Sequence, residues 1–386
     1  MCDLFTKKIM VLDGATGTRL QEYGLGPSDC TPAWILKHPE ALRAVKKSYV
    51  EAGSDMLYAP TFGATSVDLK KHRIKESVLE INKNLVELAR EESGNLPVGG
   101  DIAPTGLLLY PMGDTTFDEL VDIYTEQADA LEEAGVDFFA IETQMSLAEC
   151  RAAVIAVRTV SEKPILTSFS CNDNGKTLYG EDLHAALLCL QDMGVDAFGI
   201  NCCGNQPLIH RVISRLSSRT LIPLLVKPNA GTPITTGNRT RYSMSATRMG
   251  NYVPKFLNAG ARLLGGCCGT DAAYIAAIRE AVDAVPNDPF APSDQKLWAA
   301  SSFRVVELTS RMKIEELAID EDIVENAAIS EEIGTKLLKV VIRDEMDVDT
   351  LAEAQFSIRL PLAVRFEDHE LCTRFLHLYH GKPILL

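Results

Sequence analysis

What this chain lacks narrows its function first. In 386 residues no apolar run approaches the ~20 residues that a membrane-spanning helix needs. The opening stretch, Met1-Cys2-Asp3-Leu4-Phe5-Thr6-Lys7-Lys8, has no apolar h-region of a secretory signal and runs straight into a strand. A cytoplasmic setting without a membrane partner is the expectation. Basic residues are outnumbered: 38 lysines and arginines face 53 acidic residues, giving −15, and no basic stripe offsets the imbalance. Such a field repels nucleic acid and anionic lipid. A GxGxxG phosphate loop is missing as well, since Asp13-Gly14-Ala15-Thr16-Gly17-Thr18 does not have that spacing. The seven histidines are scattered and form no Ser-His-Asp arrangement. His377 and His380, three apart, read as a solvated surface pair.

Cysteine, by contrast, is plentiful at ten residues. A disulfide framework suits small secreted chains, which this is not; in a reducing compartment, clustered cysteines point to metal binding or catalysis. Cys2, Cys30, Cys150, Cys171, Cys189 and Cys372 are singles of the kind that fill cores or surfaces. Two adjacent pairs stand apart. One lies in Gly199-Ile200-Asn201-Cys202-Cys203-Gly204, the other in Gly265-Gly266-Cys267-Cys268-Gly269.

Both pairs belong to a repeated pattern. A helix-ending phrase with glycine precedes an apolar run four times: Glu51-Ala52-Gly53-Ser54-Asp55, Glu133-Ala134-Gly135-Val136-Asp137, Asp192-Met193-Gly194-Val195-Asp196 and Asn258-Ala259-Gly260-Ala261-Arg262. Glycine suits the left-handed residue that closes a helix, and the apolar run suits a strand covered on both faces. Further strands are expected from Ile9, Pro97, Ile165 and Leu224, with helices such as Phe117–Ala134 and Ala148–Val160 between them. Eight strands alternating with helices predict an α/β fold, a (β/α)8 TIM barrel, over residues 1–288. The Pro-rich stretch Val285-Pro286-Asn287-Asp288-Pro289-Phe290-Ala291-Pro292 opens a linker, taken as 289–300. Residues 301–386 are far short of the ~250 that a second barrel requires and predict a small α/β tail.

Barrel chemistry sits at the C-terminal ends of strands. Those ends carry Asp13-Gly14, Thr61-Phe62-Gly63, Asp101-Ile102-Ala103-Pro104-Thr105-Gly106, Glu142-Thr143, Ser168–Ser170, Asn201-Cys202-Cys203, Lys227-Pro228-Asn229-Ala230-Gly231 and Cys267-Cys268-Gly269. Strands six and eight are near neighbours in a closed barrel, so Cys202, Cys267 and Cys268 can place three thiolates around one zinc ion. A catalytic zinc site keeps its fourth position open for substrate. Cys203 is expected to point away. Gly265 and Gly266 would let the backbone bend so that both adjacent cysteines reach the ion. The competing reading is a set of reduced, buried thiols on unrelated loops; the spacing does not fit a closed CxxC zinc site.

At this point the motifs Asp13-Gly14-Ala15-Thr16-Gly17-Thr18, Asn201-Cys202 and Gly265-Gly266-Cys267-Cys268-Gly269-Thr270 resemble the homocysteine S-methyltransferase family, over residues 8 to about 285. Asp101-Ile102-Ala103-Pro104-Thr105-Gly106 and Pro228-Asn229-Ala230-Gly231 look most like the first module of cobalamin-dependent methionine synthases. Ile333-Gly334-Thr335-Lys336-Leu337-Leu338 and Tyr379-His380-Gly381-Lys382-Pro383-Ile384 resemble pieces of the pterin-binding barrel that follows there, which implies a degenerate remnant in the tail. Asp182-Leu183-His184 is no cobalamin motif, because Leu187 stands where DxHxxG needs glycine and the segment reads as a helix.

The resemblance implies a Zn2+ enzyme, EC 2.1.1.-, that binds L-homocysteine and methylates its sulfur. Glu142, assisted by Asp13, is the expected partner of the substrate ammonium, and the N–H groups of Gly14 and Ala15 would hold its carboxylate. Asn229 has two readings: a zinc ligand before substrate arrives, or a turn residue. The family often has an acidic residue a few positions past the glutamate, a region where this chain has Ser146. Methylcobalamin supplied in trans by a separate corrinoid protein is the expected donor. Alternatives are S-methylmethionine, betaine or another onium donor, or a non-catalytic chain that docks a corrinoid or folate protein. Oligomeric state is not encoded in any feature of the sequence.

Overall fold

The computed structural model describes residues 3–6, 8–172, 174–236, 239–286, 288–293 and 296–386. Met1, Cys2, Lys7 and Asn287, named above, lie outside the described residues. Within them, Gly53, Gly135, Gly194 and Gly260 have φ of +93, +72, +78 and +111 degrees, so each repeated phrase ends its helix in the left-handed conformation. The aspartate that follows has a second task. Asp55, Asp137 and Asp196 accept the N–H of Val11, Val98 and Ile165 at 2.7, 2.7 and 3.0 Å. Each returns its own N–H to the carbonyl of the same residue, at 2.6, 2.8 and 2.9 Å. This two-bond clip fixes where each strand enters beside its neighbour. Arg279, Arg90 and Arg158 back the three carboxylates at 3.1, 3.0 and 3.4 Å. Asp196→Ala should therefore cost ~1–2 kcal/mol, the worth of a side-chain bond to a buried strand end, read by urea denaturation. An unchanged midpoint would count against the clip.

The strands so placed are β1 (Met10–Val11), β2 (Leu57–Tyr58), β3 (Val98–Ile102), β4 (Phe138–Gln144), β5 (Ile165–Phe169), β6 (Ala197–Asn201), β7 (Leu224–Lys227) and β8 (Ala261–Leu264). They form one parallel sheet in which β1 pairs β8 and the remaining neighbours follow in descending order to β2. The Asp55 clip on Val11 ties the entrance of β2 back to β1, and the sheet closes into the barrel. Alternate residues then separate into two cores. Met10, Leu12, Tyr58, Phe138, Leu166, Ala197, Leu225 and Leu263 pack together in one cluster, inside the barrel. Val11, Leu57, Val98, Phe139, Ile165, Phe198, Val226 and Leu264 pack in another, under the helices.

Helix boundaries follow their caps. Phe117–Glu133 starts behind a Thr116–Glu119 capping box, and Leu147–Val160 starts behind Ser146, whose hydroxyl accepts the N–H of Glu149. Ser146 is thus an N-cap. Asp182 caps Leu183–Asp192, so the Asp182-Leu183-His184 segment is a helix start. Among the described residues no helix is long and apolar enough to cross a membrane.

After the barrel, β9 (Trp298–Ala300) pairs antiparallel with β10 (Val305–Glu307), so the last residues of the stretch read as linker are a strand. Then β11 (Ile314–Glu316), β12 (Leu337–Ile342), β13 (Leu362–Phe366) and β14 (Ile384–Leu385) form a parallel sheet in sequence order, with helices Ile323–Glu332, Glu345–Ala354 and His369–Leu378 between them. This sheet has its own core, built on Leu338, Val340, Ile342, Leu362, Val364 and Phe375.

The tail is fastened to the barrel helices. Arg151 donates to the carbonyls of Leu376 and His377 at 2.7 and 3.2 Å, and the Asp182 N–H donates to Ser302. The two tail histidines are not a solvated pair. His377 Nε2 meets Asp118 at 2.7 Å, while His380 lies past the helix end, 5 % exposed, with its ring against Phe117 and Phe356. Burial pushes its basicity well below that of an ordinary histidine.

Candidate active site

The three cysteines singled out by the strand-end pattern converge at the barrel mouth. Cys202 follows β6 with φ of +53 degrees, and Thr143, just after Glu142 in β4, has φ of +62 degrees. Two non-glycine residues in the left-handed region mark strain at a site. Asn201 ties them together: its Oδ1 accepts the Thr143 N–H at 3.0 Å and its Nδ2 donates to Thr143 Oγ1 at 2.7 Å. The other two cysteines sit on a loop held by the segment after β7. The Cys267 N–H donates to Pro228, and the Ala230 N–H donates to Cys268, at 2.8 and 2.9 Å. Cys203 turns into the core and is 7 % exposed, away from the other three.

The thiol sulfurs of Cys202, Cys267 and Cys268 all lie within 4.8 Å of one another, and Cys202 and Cys268 are 3.8 Å apart. Zinc–sulfur bonds of about 2.3 Å in a tetrahedron set sulfurs about 3.8 Å apart, so the donor set fits that ion. Hydrogen bonds from Cys202 and then Cys267 lower the Cys268 thiol, and the same contacts raise that of Cys202. Tyr242, on the strand Arg239–Tyr242, adds a hydrogen bond to Cys268, and its ring lies against Gly269. Asn229 Oδ1 is buried with no hydrogen-bond partner, an acceptor left open next to the loop that carries Cys267.

The glycines before the cysteines serve space more than bending. Neither Gly265 nor Gly266 has positive φ. A Cβ on Gly266 would lie 2.3 Å from Thr270 Oγ1, and one on Gly265 would lie 2.8 Å from the Leu12 Cβ. The expected backbone freedom is replaced by close approach.

Beside the sulfurs is a cavity of about 320 Å³, lined among others by Asp13, Gly14, Asp101, Glu142, Lys227 and Cys267. Its floor is an array of buried charges. Lys46 Nζ donates to Asp13 Oδ2 at 2.7 Å and to Thr16 Oγ1 at 3.0 Å. Lys227 Nζ donates to Glu142 at 2.8 Å, lies 4.0 Å from Asp13, and sits 3.6 Å above the Tyr58 ring. Burial opposes the Lys227 charge, but Glu142, Tyr58, Asp13 and Asp101 outweigh it and hold the lysine well above its usual range. Burial lifts the carboxyls of Glu142 and Asp101, and Glu142 lifts Asp101 further. Glu142, expected to await a substrate ammonium, therefore already faces an internal one. Of the two N–H groups expected to hold a carboxylate, that of Ala15 donates to Thr270 Oγ1 at 3.2 Å. Gly14 is fixed against the Tyr49 ring, where a Cβ would meet it at 2.7 Å.

Lys46, Lys227, Asp101 and Tyr242 were not assigned roles from the sequence. Lys46 had a signal: it falls on the stripe Leu42, Val45, Lys46, Tyr49, the buried face of helix Pro39–Glu51. Lys227 and Asp101 had one too: Lys227 ends its strand and Asp101 is next to last in its own, and the other residues of both are apolar or glycine. Tyr242 had none, since it arrives on a hairpin from outside the barrel.

Known proteins share this arrangement in part. The family model for homocysteine S-methyltransferase matches residues 10–282. Methionine synthase of Mycobacterium tuberculosis is 28% identical over 326 residues, covering 78% of this chain and 27% of that protein. Methionine synthase of Mycobacterium leprae is 28% identical over 315 residues, covering 77% and 26%. The chain spans about a quarter of the length of these curated relatives. The homocysteine methyltransferase MmuM from Escherichia coli superimposes in its oxidized form with a TM-score of 0.62 at 26% identity, covering 70% of this chain and 95% of that one. Its metallated form gives 0.61 at the same identity. With the model spanning most of the barrel and both cysteine loops in place, this chain belongs to the homocysteine S-methyltransferase family.

Proposed function

We propose that this chain is a zinc-dependent S-methyltransferase that converts L-homocysteine to methionine. The observation that carries the reading is the convergence of three thiol sulfurs, all within 4.8 Å of one another, on the wall of a cavity floored by paired charges. Cys202, Cys267 and Cys268 would hold the ion, with Asn229 as the fourth ligand before substrate arrives. Zinc so bound would supply one thing: it would lower the pKa of a substrate thiol, ordinarily near 8.5, so that the sulfur is a nucleophile at neutral pH.

The remaining work belongs to side chains. Lys227 and Lys46 hold Glu142 and Asp13 in fixed positions, so the amino-acid end of the substrate meets an ordered wall. The Asp13-Gly14-Ala15 turn is the proposed seat of the substrate carboxylate. Gly14 is its donor, because the Ala15 N–H is used by Thr270. Held at both ends, the sulfur attacks a methyl carbon in line. The new S–C bond forms as the bond from that carbon to the donor breaks, and the electron pair leaves with the donor. The thiol proton passes to solvent water before attack.

We assign methylcobalamin on a corrinoid protein as the donor, on the likeness to methionine synthases. Methionine formation from homocysteine, measured in parallel with methylcobalamin, S-methylmethionine and betaine, tests this. Turnover with methylcobalamin is the expected result. Turnover with the onium donors alone would reject the corrinoid assignment, and none with any donor, from zinc-loaded protein, would reject the transferase.

A further inference from the structure

A second cavity, of about 140 Å³, lies where the tail meets the rim of the barrel. The loops after β3 and β5 and the start of helix Leu147–Val160 form its barrel side. The β9–β10 turn, the end of helix Glu345–Ala354 and His380 form its tail side. Three polar side chains with no part in the proposed methyl transfer line it: Glu149, Glu181 and His380, each more than nine-tenths buried. Glu149 uses one oxygen only. Its Oε1 accepts the N–H and the hydroxyl of Thr105 at 2.8 and 2.7 Å and the Tyr124 hydroxyl at 3.0 Å. Glu181 is alike, its Oε2 accepting the Leu147 N–H and the Thr177 hydroxyl, both at 2.8 Å. Among the described residues, Glu149 Oε2, Glu181 Oε1 and the His380 ring nitrogens have no hydrogen-bond partner. Asp13 and Glu142 each have a lysine beside them, at 2.7 and 2.8 Å. Glu149 and Glu181 have no ion-pair partner among the described residues, and burial pushes Glu181 up to about 7.

Two buried carboxyls that face a space and lack a cation call for one that enters. A bare metal ion does not fit. The donor atoms of Glu149, Glu181 and His380 are not gathered within 4.8 Å of one another, as those of the three cysteines are. The walls between them are apolar instead, supplied by Leu107, Leu109, Phe303 and Phe356. A cavity of this size takes a body of about six carbons. We propose that this cavity binds a short aliphatic diamine, whose ammonium groups pair with Glu149 and Glu181 and whose methylene chain lies on the leucine and phenylalanine walls. His380, which burial holds well below the basicity of an ordinary histidine, accepts a remaining N–H. The ligand bridges the two parts of the chain, because barrel and tail each supply walls. It also touches the active site at one remove, since Glu149 holds Thr105 on the loop that carries Asp101.

The test is isothermal titration calorimetry on the full chain, at about 0.15 M salt so that its net charge of −15 is screened. The probes are 1,4-diaminobutane and 1,4-butanediol, which share a carbon chain and differ in charge. One diamine bound per chain, and no diol, is the expected result. Glu181→Gln keeps an oxygen for the Leu147 N–H and is expected to weaken the diamine by about 30-fold, the worth of a charged hydrogen bond in a buried site. Should circular dichroism show that this variant does not fold, Phe303→Ala, on the β9–β10 turn, is read in the same way. No binding of the diamine, equal binding of the diol, or wild-type affinity in the folded variant overturns the inference. Displacement of the diamine by Mg2+ at equal concentration overturns it too, because the carboxyls would then form a metal site.

Discussion

Replacing Cys267 by alanine is expected to lower zinc affinity by well over ~100-fold and to abolish methyl transfer. Groups that only support a metal ligand cost 10–100-fold when removed, so a ligand itself must cost more. Cys267 is chosen because its loop is anchored independently of its sulfur. Its N–H is held by Pro228, Thr270 Oγ1 donates to its carbonyl at 2.7 Å, and Gly266 has no room to shift. The fold should therefore survive the change, and circular dichroism should show it. The same loss is expected for Cys202→Ala and Cys268→Ala, and little change for Cys203→Ala, whose sulfur faces the core. Metal analysis after dialysis and an activity assay check all four. Full zinc retention by Cys267→Ala would remove the cysteine set from the site.

The largest stability effect is expected at Lys46→Met. Lys46 and Asp13 are 0 % and 1 % exposed and 2.7 Å apart, and Asp13 lines the cavity beside the three sulfurs. Methionine fills the same volume, so packing is nearly kept, but Asp13 is left as a buried carboxylate without its close partner. Breaking one side of such a pair costs about 3–5 kcal/mol. Lys227, at 4.0 Å, would offset a small part of this. Urea denaturation should show a shifted midpoint at constant slope. Because Asp13 also accepts the Tyr58 N–H at 3.1 Å, homocysteine binding should weaken along with stability. A loss under 1 kcal/mol would mean that water reaches Asp13 and the floor is not dry.

Much of this molecule was legible in its sequence for a physical reason. Parallel strands covered on both faces are continuous apolar runs, and helices that return to them end in glycine, so Met56–Ala59, Phe138–Ile141 and Ala197–Ile200 announce themselves. Strand ends in a barrel are where polar residues gather, and that rule alone brings Cys202, Cys267 and Cys268 together. What stayed hidden were pairings between residues far apart in the chain. Lys227 and Glu142 are 85 positions apart, and nothing local to either reveals the other. Gly265 and Gly266 were read for conformational freedom, whereas their neighbours Leu12 and Thr270 require the missing side chain. His380 follows the same rule: its burial comes from Phe117 and Phe356, which its own segment does not contain. The Gly-x-Asp phrase lay between these cases. Its glycine announces a helix end, whereas its aspartate is clipped to the previous strand, a partner outside its own segment.

X-ray absorption at the zinc edge, on the full chain with and without L-homocysteine, addresses the thiol-activating site itself. The expected result is one zinc per chain, with three sulfur neighbours at about 2.3 Å and a lighter fourth atom, becoming four sulfurs when homocysteine is added. A sulfur count that stays at three with saturating homocysteine, or protein that holds no zinc at all, would contradict a site built by Cys202, Cys267 and Cys268 to take the substrate thiol.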